Sequence, residues 1–165
     1  MIERIANDLL RMEGCRLHPY RCTAGKLTIG IGRNIQDAGI TKKEAELLLI
    51  LDIDRIINQL DTNMPYWVSF PFTVKVVIIQ MAFQLGIGGL MQFRKFLAAL
   101  VQKNYDTAVK EMYNSRWAIQ TPNRVKLLAG YLNHSPHTIQ NHHSIENIEV
   151  IKRLANTLNN TSILT

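Results

Sequence analysis

Hydrophobic residues recur at two different periods in the N-terminal part of the chain. Residues 2–12 carry apolar side chains at helical spacing, and Gly14 ends that pattern. Residues 18–33 instead alternate apolar side chains with polar or small ones, and residues 23–26 are typical of a turn. The pattern predicts a helix followed by a small β-hairpin.

The rest of the chain returns to the helical period. A long helix is predicted from about residue 41 to residue 61, because Thr41 and Glu44 form a capping box ahead of an apolar stripe. Residues 72–85 are apolar nearly all round, which is typical of a central buried helix. Further helices are predicted at about residues 90–100, 106–113 with Asp106 as the cap, 122–131 and 145–158. We therefore expect an α+β protein.

Composition limits the class of protein. The chain has 165 residues, of which 47% are hydrophobic, so one globular domain is expected. The most apolar region, residues 70–90, is interrupted by polar residues and glycines, and no leader pattern is visible. We expect neither stable membrane association nor secretory export. The net charge of +6 favours polyanionic partners, but no basic run with interleaved aromatic residues indicates nucleic acid.

The two cysteines, Cys15 and Cys22, are too few for a disulfide framework. We expect two free thiols, with Cys15 packed in a core.

Three residues stand at the spacing Glu13-x8-Cys22-x5-Thr28. A carboxyl group at the end of a helix meets the negative end of the helix dipole, which disfavours its ionisation and suits a general acid. A thiol and a hydroxyl on the hairpin could then act on the opposite side of a glycosidic bond, as a nucleophile or by activating and positioning water. Taken singly, each residue is more often ordinary: a solvated glutamate, a small buried thiol and a strand threonine.

The segments around these residues resemble the phage-type lysozymes of glycoside hydrolase family 24. The resemblance covers roughly residues 9–60 and 80–128. It is carried, in order along the chain, by residues 13–28, 28–34, 40–45, 81–86 and 115–124.

This resemblance implies a lysozyme-like α+β fold with a small β-hairpin lobe and a larger all-helical lobe, joined by a long helix with a cleft between the lobes. The implied β lobe spans about residues 13–40, the connecting helix about 41–61, and the helical lobe about 62–158 together with residues 1–12.

The resemblance also implies a muramidase that hydrolyses the β-1,4 bond between N-acetylmuramic acid and N-acetylglucosamine in peptidoglycan. Glu13 would be the general acid, Cys22 the base, nucleophile or charge stabiliser, and Thr28 the residue that positions water. Substrate contacts would come from Gly30, Gly32, Asn34, Phe83, Gln84, Gly86 and Arg116. For the two hairpin glycines, a tight contact between strands is an equally good explanation.

Two departures from the family pattern leave alternatives open. Cys22 replaces the commoner Asp, so a lytic transglycosylase giving 1,6-anhydro products and a peptidoglycan-binding module without turnover remain alternatives. Arg33 replaces a frequent His, and Arg21 or Arg33 is a candidate cation for favouring a thiolate at Cys22.

The implied biology is that of an endolysin. We expect a monomer that stays in the host cytoplasm until a holin releases it to the periplasm and cell wall. No cofactor or metal is expected. His134, His137, His142 and His143 offer imidazoles in residues 133–143, but without the spacing of a structural zinc site, and we interpret that segment as a solvated loop.

Overall fold

The computed structural model describes residues 1–133, and over these residues the fold is α+β. The α+β class predicted from the sequence is confirmed. The elements of this range, in chain order, are α1 (Ile2–Glu13), β1 (Arg16–Arg21), β2 (Leu27–Gly30), β3 (Arg33–Asn34), α2 (Lys42–Asn63), a 3-10 helix (Pro65–Ser69), α3 (Phe72–Gln92), α4 (Arg94–Val101), α5 (Tyr105–Tyr113), α6 (Arg116–Gln120) and α7 (Pro122–Asn133). The predicted helix at 145–158 and the His-rich segment lie outside the described residues.

Contacts divide these residues into two compact units, residues 1–49 and the residues from 50 onward. The first unit holds α1 together with the sheet, whereas the resemblance implied that residues 1–12 join the helical lobe. The subdivision derived from the sequence therefore stays a prediction.

The sheet of the first unit is antiparallel, with the order β1-β2-β3. Tyr20 pairs with Thr28, and Thr28 in turn pairs with Asn34, so Thr28 lies on the central strand. The β1–β2 ladder is irregular between Arg16 and Tyr20. Pro19 lies in that interval and has no N–H to donate to a ladder.

The capping box of α2 is present as predicted. The Glu44 amide donates to Thr41 Oγ1 at 3.2 Å, and the Thr41 amide donates to Glu44 Oε2 at 2.7 Å. These bonds and the guanidinium of Arg33 lower the pKa of Glu44, the backbone bond with Thr41 contributing most.

The core of the second unit surrounds α3. Its fully buried side chains include Val77, Ile78 and Met81 of that helix, against Phe96 of α4 and Met112 of α5. Burying such side chains is the main favourable contribution to folding.

Helix α3 breaks at Gly86, directly after the residues 72–85 predicted to be helical. The helix continues to Gln92, but Gly86 interrupts it with φ 70° and ψ 165°. By length and composition alone Phe72–Gln92 could cross a membrane, but the break at Gly86 divides this span. Its buried contacts are those of a core helix.

Three local predictions were also wrong. Asn104, not Asp106, caps α5: its side chain accepts from the Thr107 amide at 3.0 Å. The helix predicted at 90–100 begins at Arg94. Cys15 is exposed rather than packed in a core, and both cysteines are free thiols as expected.

Candidate active site

Glu13 is the last residue of α1, and its side chain is exposed. The helix ends there because Gly14 adopts φ 68° and ψ −178°, a conformation essentially restricted to glycine, while its amide donates to Leu10 O. A Cβ atom placed on Gly32 would lie 3.6 Å from Glu13 Oε2. The carboxyl group therefore lies against a backbone position that has no side chain.

Cys22 opens the turn between β1 and β2. Its amide donates to Lys26 O at 3.0 Å, and its carbonyl accepts from the Gly25 amide at 2.8 Å. The hydroxyl of Thr28, which is only 3% exposed, donates to the same Lys26 carbonyl at 3.0 Å. One carbonyl oxygen thus holds the backbone of Cys22 and the side chain of Thr28 together.

The same turn favours a negative charge on the sulfur. Hydrogen bonds from the backbone amides of Lys26 and then Ala24 lower the pKa of the Cys22 thiol. Burial opposes them with a smaller effect, and the Thr28 hydroxyl makes a still smaller contribution that lowers the pKa. Thr28 has one hydroxyl proton, which cannot serve Lys26 O and the sulfur at once. The hydroxyl therefore donates to Lys26 O or to the sulfur, but not to both at the same time.

The arginines proposed from the sequence do not cause this shift. Arg21 donates to Gly25 O at 2.8 Å. Arg33 donates to Gly39 O at 3.0 Å and pairs with Glu44. Neither contributes to the lowered pKa of Cys22, so that expectation was wrong.

The remaining predicted residues of the first unit lie on β2, β3 and the turn between them. Gly30 and Gly32 have φ values of 64° and 71°, so both provide the left-handed backbone that the turn requires. The side-chain carbonyl of Asn34 accepts from the amides of Gln36 and Asp37, and its NH2 donates to Asp37. Asn34 thus shapes the segment after β3, and a role in substrate binding stays a prediction.

Phe83, Gln84 and Gly86 lie on the exposed side of α3, where the helix is interrupted. Gln84 Oε1 accepts from the buried Trp117 indole at 2.8 Å and from Arg124 Nη1 at 3.2 Å. With two donors on its oxygen, the orientation of the amide is fixed and its NH2 group is directed away from them.

Arg116 is exposed and lines a cavity of about 690 Å³ together with Phe93 and Trp117. Arg94 and Lys95 add positive charge to its wall, and Glu111 adds one carboxylate. A cavity of this size with aromatic walls and a few charged groups has the character of a ligand site.

No group of three or more potential metal-ligating His, Cys, Asp or Glu side chains occurs among residues 1–133. His134, His137, His142 and His143 lie beyond these residues.

The chain is similar in sequence to lysozymes of the phage type. The phage lysozyme family model matches residues 10–135. A probable T4-type lysozyme 1 of Dictyostelium discoideum is 29% identical over 153 aligned positions, covering 75% of this chain and 90% of that protein. A second T4-type lysozyme of that organism is 26% identical, with the same coverage. The pre-baseplate central spike protein Gp5 of Enterobacteria phage T4 is 29% identical over 148 positions, which cover 73% of this chain and only 26% of the spike protein.

Proposed function

Because the chain belongs to the phage lysozyme family, and is therefore a lysozyme-type glycosidase acting on peptidoglycan, we propose that it hydrolyses the β-1,4 bond between N-acetylmuramic acid and N-acetylglucosamine with Glu13, Cys22 and Thr28. The Lys26 carbonyl, which accepts from both the Cys22 amide and the Thr28 hydroxyl, carries this proposal, together with the lowered pKa of the Cys22 thiol.

Glu13 protonates the oxygen of the leaving sugar. The exposed carboxyl group ends α1, and Gly32 beside its Oε2 carries no side chain. A general acid must come within hydrogen-bond reach of the oxygen it protonates, and the exposure of Glu13 supports that role.

Cys22 acts from the other side of the bond as the base. The thiolate takes a proton from water, the water oxygen bonds to the anomeric carbon, and the leaving oxygen takes the proton of Glu13. Thr28 holds the water through a lone pair of its hydroxyl oxygen, while the hydroxyl proton is donated to Lys26 O. Proton exchange with solvent then restores the Glu13 acid and the thiolate.

Gln84 contributes substrate binding on the second unit. Trp117 and Arg124 occupy its side-chain oxygen, which leaves the NH2 group as a donor for a carbonyl of the glycan or its peptide. Arg116, Arg94 and Lys95 would attract the carboxylates of the stem peptide to the neighbouring cavity.

Product chemistry tests the reaction. Purified sacculi are digested with the wild-type protein and with Glu13→Gln, and the muropeptides are analysed by mass spectrometry. We expect reducing ends from the wild type and at least a hundredfold slower release from Glu13→Gln. Products that end in 1,6-anhydro sugars would show that the reaction is transglycosylation and not hydrolysis. If the wild type binds sacculi but releases no muropeptides, the protein is a binding module without turnover.

We also propose that the protein works as a monomeric endolysin that reaches the wall from the host cytoplasm through a holin. Support comes from the family, whose members include phage lysozymes. Expression in cells with and without a holin tests this: lysis should require the holin. Lysis without the holin would contradict the proposal that the protein is held in the host cytoplasm. Light scattering of the purified protein measures its mass in solution and so tests whether it is a monomer.

A further inference from the structure

A second cavity of the helical unit, of about 320 Å³, shares no residue with the groups assigned above. Tyr66, Phe70 and Tyr105 line its walls, and Leu100, which is 1% exposed, is part of its lining. Tyr66 and Phe70 meet edge to face, with ring centroids 5.9 Å apart, so one ring holds the other in place. The volume falls in the range of small-ligand sites.

Three residues that line this cavity, Tyr66, Ser69 and Tyr105, carry hydroxyl groups. Within the described part of the chain, no hydrogen bond occupies the hydroxyl of Tyr66 or of Tyr105. Ser69 donates its hydroxyl proton to Tyr66 O at 2.7 Å, which leaves the lone pairs of Ser69 Oγ as acceptors. Aromatic faces edged by hydroxyl groups suit a pyranose ring, which has apolar C–H faces and a polar rim.

Lys103 adds a positive charge to the lining of this cavity, and its backbone conformation is strained. It follows the C-terminal end of α4 with φ 56°, and it is the one residue other than glycine among residues 1–133 with a positive φ. Glycine is preferred at this position of a helix end because it has no Cβ atom to strain. The ammonium group forms no ion pair within residues 1–133.

We propose that this cavity binds one N-acetylhexosamine unit of the peptidoglycan strand, with Lys103 beside an anionic group of the attached peptide. Peptidoglycan is a polymer, so a second attachment point raises the effective concentration of the strand without taking part in cleavage. The inference rests on peptidoglycan being the substrate, and it does not depend on the roles of Glu13 and Cys22.

The test compares binding with cleavage. Tyr66→Ala/Tyr105→Ala is the test variant, and Tyr113→Ala is the matched control, because Tyr113 is 51% exposed on α5 and does not line the cavity. Binding to intact sacculi is measured by sedimentation, and chitotetraose binding by NMR shifts. We expect the double variant to bind sacculi about five- to tenfold more weakly and to lose chitotetraose shifts around residues 66–105. Its rate on short soluble muropeptides should be unchanged.

Lys103→Gly separates charge from folding. Glycine relieves the strain at position 103, so this variant should melt at a higher temperature and yet bind sacculi more weakly. Unchanged sacculus binding by a folded double variant, or chitotetraose shifts that avoid residues 66–105, would overturn the proposal. Cleavage by Glu13→Gln would instead contradict the catalytic assignment and leave the binding result standing.

Discussion

At the scale of single residues, position 22 matters because of the backbone around it. The amides of Ala24 and Lys26 donate to its side chain, and such donors stabilise a carboxylate as well as a thiolate. The turn therefore suits an aspartate at position 22 as well as the cysteine of this chain. The spacing of Glu13, Cys22 and Thr28 can be recognised in the sequence, whereas amide donors leave no trace in the pattern of side chains.

A substitution series at position 22 checks this view. We expect Cys22→Ala to lower the rate of sacculus digestion at least a hundredfold, because the base is removed, and Cys22→Asp to stay within about tenfold of wild type, because the turn also stabilises a carboxylate. Cys15→Ala is the control, since Cys15 is the other free thiol and is exposed; it should digest normally. Full activity of Cys22→Ala would exclude a catalytic thiol.

Thr28 is one of the groups that lower the pKa of Cys22, after the backbone amides of Lys26 and Ala24. The pKa of Cys22 lies below that of an ordinary cysteine, so activity that needs the thiolate rises as the pH passes upward through that lowered pKa. Thr28→Val removes one stabilising donor, raises this pKa, and should move the rising limb of kcat/KM to higher pH, whereas Thr28→Ser should leave it in place.

The same shift bears on stability. A depressed pKa in the folded state contributes stability above the pKa of the unfolded chain, and this contribution is lost as the pH falls through the folded value. If kcat/KM of Thr28→Val and of the wild type rises over the same pH range, the Thr28 hydroxyl does not lower the pKa of Cys22.

At the scale of elements, the sequence was most informative where a side chain itself ends a helix. Thr41 and Glu44 predicted the start of α2, and Gly14 the end of α1. The prediction at α5 was wrong because Asn104 and Asp106 are both good capping residues, and only the backbone decides which one precedes the helix. The break in α3 at Gly86 falls directly after residues 72–85, which the sequence predicted to be helical.

The backbone at Gly86 gives a paired stability prediction. Its φ of 70° and ψ of 165° exclude a Cβ atom without strain, so Gly86→Ala should destabilise the fold by about 1–3 kcal/mol. Gly88 lies two residues on, where a Cβ atom would meet no other atom within 4 Å, and its φ is not positive. Gly88→Ala should therefore stabilise the fold by about 0.5–1 kcal/mol. Urea unfolding measures both, and shifts of the same sign would contradict the assigned backbone.

At the scale of the whole molecule, a group of site residues could be predicted from the sequence when its members lie close together along the chain. Glu13, Cys22 and Thr28 lie within one short segment, so their spacing alone indicated a shared site. Gln84 is oriented by Trp117 and Arg124, which are 33 and 40 residues away. These hydrogen bonds depend on how α3, α6 and α7 pack against one another, so no local sequence pattern predicts them.

The charge of the molecule makes a prediction that no single residue carries. A net charge of +6 attracts the protein to anionic peptidoglycan, and salt screens that attraction as the Debye length falls from about 30 Å at 0.01 M to about 8 Å at 0.15 M. The initial rate on sacculi should therefore fall severalfold between these ionic strengths, mainly through weaker binding. The rate on a short soluble muropeptide serves as the control and should fall much less, because it lacks the extended anionic surface. If both rates respond equally to salt, the effect lies in the catalytic step, and the overall charge does not recruit the enzyme to the wall.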